Sequence, residues 1–154
     1  MTLHILSNQE TKEIENKLNE QFGIKKIPGM LLRIGEERLF LFQGSFSGNQ
    51  IKRLEQLVPI ERVGVYFATS LNEQIRLSLE GVHLLKDQIT KNIFELDKKQ
   101  AEQWMMGSEL NIETGKQTIL IMKHEDYFLG CGKASKEKIG NFIPKSRRLK
   151  SKNN

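Results

Sequence analysis

The residues best equipped for chemistry in this chain are cations and glycines crowded near its carboxyl end. Between Lys133 and Lys152 stand Lys133, Lys136, Lys138, Lys145, Arg147, Arg148, Lys150 and Lys152 against the single acid Glu137, a local balance of 8 − 1 = +7. The whole chain carries a formal +5, so the remaining residues sum to −2. A cationic patch on a near-neutral body suits a polyanion, because each phosphate it neutralises releases condensed counterions. Contact with RNA or DNA is the chemistry indicated, and a solvated, solubilising tail is the plainer reading of the same charge. Apolar and rigid residues favour the first. Phe142, Ile143, Pro144 and Leu149 are interleaved with the cations, which predicts an ordered strand with one buried face.

A glycine pair adjoins this cluster. Gly130-Cys131-Gly132-Lys133 follows the apolar Tyr127-Phe128-Leu129. Glycines let a backbone approach a ligand closely and offer N–H donors to phosphate, so an RNA-facing loop is expected there, with a strand bulge as the alternative. Gly44-Ser45-Phe46-Ser47-Gly48 leads into a helix. It lacks both a phosphate-loop lysine and the dinucleotide fingerprint, and reads as a flexible turn.

Catalytic constellations find little support in the local sequence. His4, His83 and His124 have no histidine or cysteine nearby, and His124-Glu125-Asp126 reads as a polar turn, since adjacent residues in a turn rarely converge on one metal ion. No Gly-x-Ser-x-Gly elbow or cysteine with a supporting histidine is visible. Cys131, alone of its kind, can form neither an internal disulfide nor a cysteine-based metal site, and is read as a packing residue. Neither a cofactor nor a metal is expected. The amino terminus lacks a basic leader and no apolar run reaches a bilayer-spanning length, so a cytoplasmic protein with no membrane partner is expected.

These residues must be positioned by a framework, and 154 residues with 38% hydrophobic content suffice for one ordinary domain or two small ones. Ser7 and Glu10 have capping-box spacing, and Ile14, Leu18 and Phe22 recur every fourth residue before Gly23, predicting a first helix. Gly29 to Ile34 and Arg38 to Phe42 read as a hairpin. Gln50 to Val58 reads as a helix ending at Pro59, Arg62 to Thr69 and Gln74 to Ser78 as strands about a turn at Leu71-Asn72-Glu73, and Leu79 to Leu85 as a short helix. The pattern changes to mostly strand near Lys86-Asp87-Gln88, which marks a boundary. Beyond it come a strand at Asn92 to Leu96, a helix from Asp97 through Met106 with Ala101, Trp104 and Met105 on one face, and a stop at Gly107. Trp104 and Met105 are read as core or interface residues, not as a stacking platform. Strands at Glu109 to Ile112, Gln117 to Lys123, Asp126 to Gly130, Ile139 to Ile143 and through Leu149 predict a small barrel or pseudo-barrel. The fold class is α+β.

Two resemblances follow. The Asp97 to Met106 helix, the Gly107-Ser108-Glu109-Leu110 step, Ile119-Leu120-Ile121-Met122, the Leu129-Gly130-x-Gly132-Lys133 turn and the ending Asn141-x-Ile143-Pro144-Lys145-x-x-Arg148 resemble the PUA domain, over about the last sixty residues. The ending is most similar to the version fused to Sun-type RNA five-methylcytosine methyltransferases, without the S-adenosylmethionine loop of such an enzyme. In the first ninety residues, Val63 to Phe67 and Ile75 to Leu85 resemble the pre-PUA domain of the archaeal and eukaryotic ribosome-biogenesis factor called nuclear import protein seven.

The resemblances imply a pre-PUA-like α/β domain at 1–88, a PUA-type β pseudo-barrel at 89–150 and a tail at 151–154. They imply a non-catalytic protein that contacts ribosomal or transfer RNA through Gly130, Gly132, Lys133, Lys145, Arg147 and Arg148. Charge adds Lys136, Lys138 and Lys150 to that set. Ribosomal RNA maturation alongside assembly proteins is the expected role. The alternative is a stand-alone recognition subunit for an RNA-modifying enzyme such as a methyltransferase or pseudouridine synthase.

Overall fold

Ser7 opens the first helix as its spacing predicts. In the computed structural model, which describes residues 3–44, 47–57, 64–71 and 73–150, the Ser7 hydroxyl accepts the Glu10 backbone N–H at 3.1 Å. Glu10 Oε1 in turn accepts the Ser7 N–H at 2.9 Å, so two otherwise orphaned donors are satisfied. Helix α1 (Asn8–Phe22) ends at Gly23, whose left-handed φ of 80° closes the last turn. Leu18 and Phe22 are fully buried.

The Ser7 N–H and the His4 ring, whose Nε2 lies 2.9 Å from Oε1, hold the Glu10 carboxyl down to about 2. A lowered folded value means that this carboxylate's contribution is fully present above its ordinary 4.5 and is lost as pH falls toward about 2. Carboxyl titration by NMR should therefore place the Glu10 midpoint well below its neighbours, and His4→Ala should raise it. A midpoint in the ordinary range would mean that the cap is not formed.

Five strands make the first sheet: β1 (Leu3–Ile5), β2 (Met30–Ile34), β3 (Arg38–Phe42), β4 (Val65–Leu71) and β5 (Gln74–Leu77), antiparallel in that order. β1 has no counterpart among the expected elements; it pairs Leu3 with Ile34 and Ile5 with Leu32. Helices α2 (Gly48–Leu57) and α3 (Leu79–Leu85) complete this part. Side chains of β2 and β3 alternate between two cores. Leu31, Leu39 and Leu41 join α1 and α3 on one face, while Leu32, Ile34 and Phe40 meet Ile51 of α2 on the other. The helix stop at Pro59, the strand start at Arg62, the Asn72 turn, part of the Gly44–Gly48 turn and the closing tail lie outside the described residues.

A second sheet holds β6 (Ile93–Glu95), β7 (Ile119–His124), β8 (Tyr127–Ala134) and β9 (Ile139–Asn141), with β6 parallel to β7 and the others antiparallel. Helix α4 (Lys98–Met105) starts with a second capping box, Asp97 with Gln100, and Gly107 follows its end at φ 95°. Two expected strands are corrected. Leu110 makes only an isolated bridge to Ile139 in place of a strand over 109–112. After β9 the chain forms a short 3-10 turn at Lys145–Arg147 rather than a strand through Leu149, because Pro144 has no N–H for a ladder.

The four consecutive residues Ile119-Leu120-Ile121-Met122 are all buried. Ile119 and Ile121 join the core of the first sheet and Leu120 and Met122 pack with Trp104, as alternation on a strand covered on both faces requires. Hydrogen bonds span the same contact. Gln74 Nε2 donates to Thr118 Oγ1 at 3.2 Å, and the N–H of Thr90 donates to Phe22 O at 2.8 Å. The structure is thus mixed α+β with two sheets sharing apolar residues. No helix among the described residues is long and apolar enough to cross a membrane.

Candidate nucleic-acid interface

The cationic ending is held in place. Asn141 Nδ2 donates to the carbonyls of Trp104 at 2.8 Å and Ser108 at 3.0 Å, and its Oδ1 accepts the Ile143 N–H at 2.7 Å. Ile143 is buried. Farther along, Arg148 Nε donates to Ile143 O at 3.0 Å, and the Leu149 N–H donates to Met105 O at 2.8 Å. Asn141 is the residue whose role sequence reasoning missed, since both carbonyls it binds lie more than thirty residues earlier.

The glycine pair lies inside β8, not in a loop. The ladder shifts register where Ile121 pairs with Cys131 but Lys123 with Phe128, leaving Leu129 and Gly130 opposite Met122 as a bulge. Gly130 has φ +87°, and a Cβ there would come within 2.9 Å of Leu79 Cδ2. At Gly132 a Cβ would lie 2.6 Å from Ile139 Cγ2 and 2.8 Å from Trp104 Cη2. Both glycines are buried and admit close packing of neighbouring side chains. Burial pushes the Cys131 thiol up to about 12, a backbone hydrogen bond at Leu77 and the Arg76 charge opposing only in part, so it is poorly suited to nucleophilic work.

The seven cations expected at the site fall into two groups. Lys133 Nζ donates to Gln74 Oε1 at 3.0 Å, Lys138 pairs with Glu109 at 2.9 Å, Arg147 pairs with Glu80, and the Arg148 side chain lies against Gly107. Burial pushes the Glu80 carboxyl up, but the Arg147 guanidinium and a backbone hydrogen bond outweigh it and leave it lowered. Lys136, Lys145 and Lys150 make no ion pair or side-chain hydrogen bond among the described residues. Those three are available to an incoming phosphate without displacing a protein group.

Contacts with the first sheet flank this ending. The Arg76 guanidinium stands 4.1 Å above the Phe142 ring, a cation–π arrangement, and with Pro144 and Gly130 it borders a narrow cleft of about 80 Å³. Arg76 and Glu80 therefore steer the ending as directly as any residue near it in sequence. His124 stands at the end of β7, Nδ1 2.8 Å from Leu96 O. Among the described residues no group of three or more His, Cys, Asp or Glu side chains could hold a metal ion.

Comparison with known proteins bears on this geometry. Residues 91–149 match the family model described as the methyltransferase RsmF PUA domain, a stretch that runs from the start of the second sheet to the anchored Leu149. Over 141 residues, 91% of the chain, the sequence is 27% identical to ribosomal RNA small subunit methyltransferase F of Aeromonas salmonicida (strain A449), covering 28% of that protein. The protein of the same name from Vibrio campbellii (strain ATCC BAA-1116) is 26% identical over 149 residues, 90% of this chain and 29% of its own. The chain thus spans less than a third of the length of the curated relatives it matches. Similarity extends through the first sheet as well as the second.

Proposed function

We propose that this chain binds structured ribosomal RNA and serves as a substrate-recognition unit for RNA methylation, the chemistry itself belonging to a methyltransferase. The observation that carries this reading is the coincidence of the matched segment, 91–149, with an ending whose cations are fixed by Asn141 and Leu149. In this reading residues 89–150 contact RNA and 1–88 orient that part. Lys136, Lys145 and Lys150 supply the first phosphate contacts, joined by Lys133, Lys138, Arg147 and Arg148 when RNA displaces their protein partners. Gly130 and Gly132 shape the strand on which the patch rests. The relatives' similarity over the first half favours this role over a free-standing biogenesis factor akin to nuclear import protein seven, and ribosomal RNA is the ligand in both.

Crosslinking in cells followed by sequencing of the attached RNA tests the proposal. Reads should concentrate on small-subunit ribosomal RNA. Enrichment of transfer RNA, or no RNA above an uncrosslinked control, would overturn it.

A further inference from the structure

Beside the cationic ending lies a second feature that the phosphate contacts do not use. An open apolar hollow of about 290 Å³ separates α4 from the β7–β8 hairpin. Met105, Tyr127, Leu129 and Leu149 line it, and Lys98, Glu102 and His124 supply its polar groups. Tyr127 is 67% exposed and Leu149 54%, an unusual outlay of apolar surface for two side chains that share one hollow. The size suits one small flat ligand rather than a helix.

The surroundings of the hollow favour a particular occupant. Leu149 sits between Arg148 and Lys150 in the chain, so the hollow opens within one residue of the ordered cations. A polyanion that carries flat aromatic groups matches both halves of this arrangement. His124 sharpens the match. Its Nδ1 lies 2.8 Å from the Leu96 carbonyl, which can only accept, so Nδ1 bears a proton and Nε2 is the acceptor whenever the ring carries only that one. That nitrogen is 3.9 Å from Glu125 Oε1, beyond hydrogen-bond distance, and is open to an N–H on the edge of a base.

We infer that the hollow between α4 and the β7–β8 hairpin is a pocket for one unstacked nucleobase of RNA, with Tyr127 as its stacking face and Lys150 at the adjoining phosphate. The inference rests on the proposed RNA binding and adds a site that reads single-stranded nucleotides.

Two oligonucleotides of equal charge test it: a hexamer of adenylate and a hexamer with the same phosphates but no bases. A blunt-ended RNA duplex serves as the third probe. The full chain should bind the adenylate hexamer about 5- to 150-fold more tightly than the abasic one, the range for stacking one base. Tyr127→Ala should close that gap, and Tyr127→Phe should keep it. Equal affinity of the full chain for both hexamers, with the duplex still bound, overturns the pocket and leaves the hollow to an apolar protein segment while the proposed function stands. Loss of duplex and hexamer binding together in Tyr127→Ala assigns the side chain to the fold and also overturns it. Failure of the unaltered chain to bind any of the three probes defeats both readings.

Discussion

Alanine at Lys136, Lys145 and Lys150 together is expected to weaken RNA binding and to flatten its salt dependence, lowering the slope of log K against log salt by about 2 to 3. The size follows from three phosphate contacts, each releasing somewhat less than one counterion. These side chains are the sensible choice because, among the described residues, each lacks an ion-pair partner. Substituting Lys138 and Arg147 should move the slope less, since Glu109 and Glu80 hold them in the free protein and a phosphate must displace a carboxylate. Arg148→Ala is a poor probe of affinity. Its Nε secures the Ile143 carbonyl, so its loss unsettles the ending itself. Filter binding across a salt series reads the effect, and an unchanged slope in the triple variant would remove the patch from the interface.

Trp104→Ala should cost about 3–5 kcal/mol of stability, measured by urea unfolding. The indole is fully buried among Ala101, Leu120, Met122 and Ile139, and its Nε1–H donates to Leu129 O at 2.8 Å. Removing it opens a cavity and leaves a carbonyl without its donor. Against a whole-domain stability of about 5–15 kcal/mol, the loss is a large share of the total. Trp104→Phe separates the two contributions: it keeps most of the volume and loses the hydrogen bond, at about 1–3 kcal/mol. A cost near zero for alanine would contradict a tightly packed site. Because Gly132 sits against the same ring, the variant should also disturb β8.

What could be read from the chain alone was what neighbours in sequence decide. The Ser7–Glu10 capping box and the Asp97 cap are set by residues three apart, Asp97 accepting from Gln100. The buried helical face of Ala101 and Trp104 and the core assignment of Trp104 likewise follow from local spacing. Long-range pairing was not legible. A three-residue strand such as β1 carries too short an alternation to stand out, and Leu110 gives the same apolar signal whether it belongs to a strand or to a single bridge with Ile139.

The candidate site failed to be legible for the same reason. Glycine at positions 130 and 132 signals either a loop or a crowded strand, and the choice depends on Leu79, Trp104 and Ile139, none of them adjacent in sequence. A local sum of +7 is likewise blind to Glu80 and Glu109, acids from upstream segments that hold two of the cations. The ordering of the ending was foreseen from its apolar residues, although the means is Asn141 and the Met105 carbonyl rather than a strand.

The double-sided burial of β7 limits how the second sheet can be transplanted. A chimera that carried only 89–150 into another protein would bring Ile119, Ile121 and Cys131 stripped of the Phe22, Ile75 and Leu77 side chains that share their core, a raw oily flank inviting self-association. The portable unit for grafting extends back through α1, and any engineered fusion must take the first sheet along with the second.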